Sequence, residues 1–171
     1  LNQYHIKNYE LIEDKEYGYV VNVNGPVNLW NQKLKKINIK FNKIDGFFNC
    51  INNKLISLEG CPEIVHGEFN CSDNDLISLE YSPEIINGNF FCSNNKLKTL
   101  EGGPKIIEGD FFCSYNELKS LKGSPKIVKH LICNNNQLTT FKDGPEKVNE
   151  NLNSNYNKLK SLKYCPKVMK S

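Results

Sequence analysis

The sequence predicts a mainly β solenoid with little or no α-helix, built by stacking one short unit on the next. Five cysteines stand 21, 21, 21 and 20 residues apart, and each opens one phrase (CINNKL, CSDNDL, CSNNKL, CSYNEL, CNNNQL), a fixed period typical of solenoids. Before each cysteine, apolar and polar residues alternate as in a strand, for example Phe69-Asn70-Cys71. The part of each unit that connects one strand to the next is here named the return side. A recurring proline excludes a helix from it, and we expect it to be extended, polyproline-like or 3₁₀.

Residues 1–22 precede the repeat register and are expected to form an N-terminal cap with strand or hairpin character. The segment YGYVVNV alternates as a strand does, and an uncapped solenoid end would expose its core. Residues 23–171 form the array of about seven repeats. At its far end, either Tyr164, Val168 and Met169 close the core, or the chain is a piece of a longer protein.

The repeat unit reads PxxIxGxFxCSxNxLxSLxGx, and each recurrent position has a physical explanation. The phenylalanine and cysteine point inward, and equivalent strands pair in parallel. The asparagine that follows can donate to and accept from backbone groups that the bend leaves unpaired. The glycine before the strand suits a tight or positive-φ conformation. One unit is short, because Pro125 and Cys133 are 8 residues apart rather than 9, and there we expect the sheet to continue with a locally redirected strand start.

This unit resembles the leucine-rich repeat, whose core phrase is LxxLxLxxNxL. Its second leucine corresponds here to the inward phenylalanine, its third to the cysteine, and its asparagine and last leucine are present. The first leucine is replaced by residues such as His66 and Asn87. The tail LxSLxGxP is most similar to the short repeats of bacterial effectors and bacteriophages. The resemblance implies a right-handed solenoid with a parallel sheet on its concave face, and recognition of another protein as an adaptor or inhibitor.

The sequence offers no pattern for catalysis, a metal or a cofactor, and we expect no enzyme activity. There is no CxxC pair, and His5, His66 and His130 are isolated residues that we expect to be solvated or in turns. The inward cysteines are expected to be reduced core residues, which implies a reducing compartment such as the cytoplasm of a bacterium or infected cell, with secretion left open. Cys61 and Cys165, before prolines, are the thiols expected to be exposed. The chain has no apolar run of membrane-spanning length, so no membrane partner is expected.

Candidate binding residues are those that vary between repeats. The residue between the two inward strand positions, here named the outward row, changes from asparagine to a large apolar group in three consecutive units. Its members are Asn28, Asn49, Asn70, Phe91, Phe112, Ile132 and Asn153. Tyr115 and Tyr156 extend the rim of the row. Trp30, Phe47 and Ile51 form a second group towards the N-terminus. Aromatic groups exposed together indicate a partner surface.

Several interpretations stay open at this point. The N-terminal cap could cover Trp30, Phe47 and Ile51, and a self-contact could cover the central row. Besides recognition of another protein, the array could be an assembly component of a virion or cell surface, with self-association along the row. Binding of nucleic acid or another acidic partner by the lysine-rich C-terminal half is the third reading, disfavoured because the chain has no arginine for bidentate phosphate contacts.

Overall fold

A computed structural model describes residues 4–168, which contain sixteen β-strands and no α-helix. The mainly β prediction is therefore confirmed. The strands are β1 (Tyr9–Asp14), β2 (Gly18–Val23), β3 (Val27–Asn28), β4 (Phe41–Ile44), β5 (Phe48–Asn49), β6 (Ile64–Val65), β7 (Phe69–Asn70), β8 (Ile85–Ile86), β9 (Phe90–Phe91), β10 (Ile106–Ile107), β11 (Phe111–Phe112), β12 (Ile127–Val128), β13 (Leu131–Ile132), β14 (Lys147–Val148), β15 (Leu152–Asn153) and β16 (Lys167–Val168).

The first sheet is formed by the strands that carry the inward phenylalanine. Its seven strands run in the order β15-β13-β11-β9-β7-β5-β3, all parallel and in register, so that Phe69 lies beside Phe48 and Phe90. Each strand comes from the next repeat along the chain, which gives a parallel β-solenoid of about seven turns. The parallel pairing expected from the FxC alternation is confirmed.

The return side is more regular than expected, because it also pairs into parallel sheet. A second sheet has the order β1-β2-β4-β6-β8-β10, and a third has the order β12-β14-β16. The two-residue segments such as Ile64–Val65 come directly before a corner and align with their equivalents in neighbouring repeats. The extended conformation expected for this stretch is confirmed, and its pairing into sheet was not foreseen. The proline of each unit lies before these strands, where its missing N–H does not interrupt the pairing.

The core lies between the sheets and consists of columns of identical side chains. The inward phenylalanines are fully buried and their rings follow one another at 5.3 to 5.8 Å between centroids from Phe48 to Phe111. Leu97 is fully buried, as are Leu131 and Cys133 of the short repeat, so the predicted inward phase is confirmed there. The expectation for Cys61 was wrong, because its side chain is fully buried, whereas Cys165 is partly exposed.

The corner between the two sheets depends on a column of glycines. A Cβ on Gly88 would lie 2.7 Å from the carbonyl carbon of Gly67, too close for any side chain. Tight packing, rather than backbone conformation, therefore selects glycine at these corners, and Gly25 alone of this column has a positive φ, at 131°.

The short repeat lacks this glycine, and the pairing on the return side breaks there into the second and third sheets. In the first sheet, β11 and β13 still pair in register, as expected. On the other side, β10 ends the second sheet and β12 begins the third. Elsewhere the amide after each strand donates at about 3.0 Å, as from Glu108 to Ile86, but the Lys129 amide reaches only Gly109 O at 3.4 Å. Removing one residue thus shortens the corner and pulls β12 out of the ladder.

The two ends of the array differ. Strands β1 and β2 form an antiparallel hairpin, and β2 continues in parallel with β4 of the second sheet. At the other end, Tyr164 and Val168 are exposed rather than packed over the core, so the expectation that they close it was wrong. Met169, the third residue of that prediction, lies outside the described residues.

Candidate functional site

The outward row runs across the solvent side of the first sheet, one residue per strand. The ladder places Phe91 beside Asn70 and Phe112, and Ile132 beside Phe112 and Asn153. Phe91, Phe112 and Ile132 are all partly exposed. The structure therefore brings these three apolar side chains together on adjacent strands.

The asparagines of the outward row have a structural role that the sequence alone did not reveal. In Asn49 and Asn70, the side-chain oxygen Oδ1 accepts a hydrogen bond from the backbone amide two residues later, at 3.1 and 3.0 Å. Asn28 and Asn153 make the same contact. These bonds satisfy an amide at the point where each short strand ends. A phenylalanine or isoleucine has no oxygen and cannot make them.

Phe91 and Phe112 stack on each other. Their ring centroids are 4.5 Å apart and their planes differ by 7°. Because this separation matches the spacing between strands, the rings stand upright on the sheet and direct their edges, not their faces, towards solvent. The pair therefore forms an apolar ridge along the row, and Ile132 continues it by one strand.

Tyr115 and Tyr156 flank the ridge in an unusual backbone conformation. Their φ angles are 53° and 55°, in the left-handed region, where the equivalent residues of other repeats are mostly asparagine. The Cβ of either residue crowds the following carbonyl in this region, but the short polar side chain of asparagine can offset that cost by a local hydrogen bond and the tyrosine ring cannot. Both tyrosine side chains are exposed, Tyr156 by 79%.

The N-terminal group lies apart from the ridge and is not covered by the described cap. Trp30 is 57% exposed, Phe47 40% exposed and Ile51 partly buried. The β1–β2 hairpin pairs with the second sheet instead of folding over the first, so the idea that it covers this group was wrong. Asn49 and Asn70 of the outward row separate these residues from Phe91.

Two histidines that looked isolated in sequence pair with carboxylates in space. His66 Nδ1 lies 2.7 Å from Asp45. His130 lies between two acids, with Nδ1 3.1 Å from Asp110 and Nε2 2.7 Å from Glu150. The hydrogen bond from His130 holds the pKa of Glu150 below its ordinary value. His66 is exposed at a bend, as expected, whereas His130 is partly buried. Their pairing with carboxylates was not foreseen, since it arises because residues about one repeat apart in the chain stand on neighbouring turns.

The cysteine column is chemically quiet. All seven cysteines are unbridged, and six of them are buried. Burial is the main cause that raises the pKa of Cys71, Cys92 and Cys113 far above the ordinary thiol value and the pKa of Cys133 to about 12. Such groups stay protonated at neutral pH and are poor nucleophiles or metal ligands.

Several lysines of the C-terminal half are engaged with carboxylates rather than free. Lys122 pairs with Glu101 at 2.7 Å and Lys126 with Glu146 at 2.9 Å, while Lys129 lies 3.6 Å from Glu150. These pairs reduce the positive potential that the lysine count suggested. No group of three or more His, Cys, Asp or Glu side chains in residues 4–168 is placed to hold a metal ion. The same range contains no helix long and apolar enough to cross a membrane.

Sequence reasoning missed a second apolar row, on the outside of the second and third sheets. It is here named the isoleucine row, and its members are Ile64, Ile85, Ile106 and Ile127. Ile106 is 48% and Ile127 55% exposed, and both line a cleft of about 470 Å³ at the division between β10 and β12. The available signal was an isoleucine that recurs just before each buried Val or Ile. It indicates an exposed position only if the return side is a strand, in which successive side chains point to opposite faces.

Comparisons with protein-family models, with curated proteins and with solved structures find no match to this chain.

Proposed function

We propose that this chain is a non-enzymatic protein-binding module of the leucine-rich type found in bacterial effectors and bacteriophages, acting as an adaptor or inhibitor. The contact surface is the ridge of Phe91, Phe112 and Ile132, with Tyr115 and Tyr156 at its rim. Trp30, Phe47 and Ile51 form a secondary contact at the N-terminal end of the same face.

The replacement of hydrogen-bonded asparagines in three adjacent repeats supports this proposal most strongly. Each asparagine of the outward row makes a bond worth about 0.5 to 1.5 kcal/mol to the fold. The Phe91–Phe112 stack offsets about 0.5 to 1.5 kcal/mol of that loss, and partial burial of the three side chains offsets more. The part of each side chain that stays exposed to solvent gains nothing within the fold, and recognition of a partner gives a reason for it.

The orientation of the rings favours a protein partner over a sugar or a nucleic acid base. Stacking of a sugar ring or a base needs an open aromatic face, but Phe91 and Phe112 cover each other's inner faces and present edges. A ridge of edges packs well against aliphatic side chains and against the faces of a partner's aromatic rings. The ion-paired lysines likewise weaken the nucleic-acid alternative.

The state of the thiols supports a reducing compartment as the working environment. Six buried cysteines, unbridged and with the column at strand spacing, fit a cytoplasmic location in a bacterium or an infected cell. Secretion is the alternative location.

The test is capture of partners from a lysate of the source cells. The bait is the intact chain, and the ridge variant carries Phe91→Asn, Phe112→Asn and Ile132→Asn, which restore the residue that other repeats already have. The ridge variant should keep its circular dichroism spectrum and lose a protein that the unmodified chain retains. Binding should fall at least thirtyfold, the equivalent of about 2 kcal/mol for a central anchor.

A matched control replaces Lys98, Lys119 and Lys160 with glutamate. These exposed lysines follow Leu97, Leu118 and Leu159, in the part of the repeat after the recurring asparagine that is here named the turn side. Loss of capture in this control alone would move the site to the turn side and favour an acidic partner. Equal capture by the ridge variant and the unmodified chain would contradict the proposed surface.

A further inference from the structure

The isoleucine row lies on a different sheet from the proposed binding ridge. Its side chains alternate with buried neighbours, so Ile106 points outward where Ile107 is buried. The four isoleucines stand on consecutive repeats and are bounded at both ends by lysines, Lys43 on β4 and Lys147 on β14.

A column of charged residues runs directly beside the isoleucine row. Each member precedes one isoleucine, and in chain order they are Glu63, Glu84, Lys105 and Lys126. The column therefore reads acid, acid, base, base. Such an order is self-complementary: read backwards, it places a base against each acid and an acid against each base.

We propose that two copies of this chain associate face to face through the isoleucine row, about a twofold axis parallel to the strands between β8 and β10. This axis reverses the order of repeats and keeps the strand direction. It sets Ile85 against Ile106 of the second copy, and Glu84 against Lys105 of the second copy. An interface in which one patch meets itself in this way is the commonest form of homodimer.

The charges gain partners on association without losing those they have. Within one chain, Lys105 pairs with Glu84. In the dimer, Glu84 and Lys105 of both copies form a ring of four charges that alternate in sign. Alternation of this kind specifies the register of the two copies more than it adds affinity.

The size of the row indicates a dissociable dimer. Four strands about 4.8 Å apart span only about 15 Å, and each of them contributes two residues. The area of the row is therefore well below the roughly 800 Å² per partner of a standard interface. The cleft of about 470 Å³ beside Ile106 and Ile127 faces Ile64 and Ile85 of the second copy, whose side chains can enter it. Lys43 would face Lys147 of the second copy, and this repulsion sets the limit of the contact.

Sedimentation equilibrium of the intact chain over 1 to 500 μM tests the association. The weight-average mass should rise with concentration from 19.6 kDa towards twice that value. A mass of 19.6 kDa at every concentration would overturn the proposal.

Charge exchange tests the register. Glu84→Lys alone sets lysine against lysine, and Lys105→Glu alone sets glutamate against glutamate, so each variant should be at least tenfold weaker in self-association. An equimolar mixture of the two variants restores both pairs and should recover the dimer. Failure of the mixture to associate more tightly than its components would refute this register.

The apolar contact is tested by Ile85→Asn with Ile106→Asn, which should abolish the rise in mass. The matched control is Ile56→Asn with Ile77→Asn, which removes two isoleucines at bends outside the row that are more exposed than Ile85 and Ile106. If the control pair dissociates the dimer and the row pair does not, the interface lies elsewhere. Should a charge variant fail to fold, the isoleucine variants still decide the question. Neither result depends on the ridge, so capture of a partner can succeed or fail independently.

Discussion

The asparagine that follows each strand of the first sheet links neighbouring repeats through several hydrogen bonds, so its loss should destabilise the fold strongly. Asn95 shows the pattern: its Oδ1 accepts from the Leu76 amide at 3.0 Å, and its Nδ2 donates to the carbonyls of Cys71, Cys92 and Ser93 at 3.1 to 3.3 Å. One buried side chain thus joins two consecutive repeats. Replacing Asn95 with Ala removes all four contacts.

The expected loss follows from those contacts. The Leu76 amide is left buried without a partner, which costs about 1 to 3 kcal/mol, and the lost Nδ2 bonds add about 0.5 to 1.5 kcal/mol. Asn95→Ala should therefore lower the free energy of unfolding by about 2 to 4 kcal/mol. Asn95→Asp should also destabilise, because a carboxylate keeps the acceptor but turns negative charge towards three carbonyls.

Equilibrium urea unfolding followed by circular dichroism measures the change. The control is Asn155→Ala, an exposed asparagine outside this ladder, which should alter stability by less than about 0.5 kcal/mol. An Asn95→Ala variant as stable as the control would show that the ladder does not hold the repeats together.

Three further predictions concern the thiols, the acid side of the stability profile and the short repeat. At pH 8 in native buffer, Cys165 should be the one thiol that reacts with a disulfide reagent, and slowly, because partial burial raises its pKa. The six buried thiols should react only on unfolding, and fast reaction of several thiols would contradict the packed column. The pKa of Glu150 is lowered by its hydrogen bond to His130. The stabilisation that Glu150 gives to the fold is therefore present at pH values above the ordinary carboxyl pKa, and it is lost as the pH falls through the lowered pKa. In a His130→Ala variant, carboxyl titration by NMR should show the pKa of Glu150 closer to its ordinary value of 4.5, and an unchanged value would exclude this pair. Inserting a glycine between Lys129 and His130 restores the 21-residue period and should join β10 to β12, so that the amides of Lys126 and Lys129 become protected from hydrogen exchange; unchanged exchange would mean that the missing residue does not cause the division.

The sequence was sufficient for the parts of the fold that repeat. Phe69, Cys71 and Asn74 recur at one spacing, and periodicity together with hydrogen-bonding capacity determined their roles before any coordinates. Cys61 was misjudged because a position before a proline resembles an exposed turn, although the stacked neighbouring repeats enclose it.

Features that arise between repeats could not be read from one repeat at a time. His130 meets Asp110 and Glu150 only because consecutive turns place residues about one period apart side by side. The division between β10 and β12 depends on how one missing residue is absorbed at a corner, and the sequence shows the deletion but not which sheet opens. The ridge positions were found from their deviation from asparagine, whereas the hydrogen bond that those repeats forgo became visible only in three dimensions.

The affinity of the captured partner for the ridge variant is the most direct test of the proposed recognition surface. Isothermal titration calorimetry should compare the unmodified chain, the Phe91→Asn, Phe112→Asn, Ile132→Asn variant and the turn-side lysine control with the same purified partner. We predict a loss of affinity of at least thirtyfold for the ridge variant and less than threefold for the control, with all three chains folded. Equal affinities of the ridge variant and the unmodified chain would contradict recognition through the outward row.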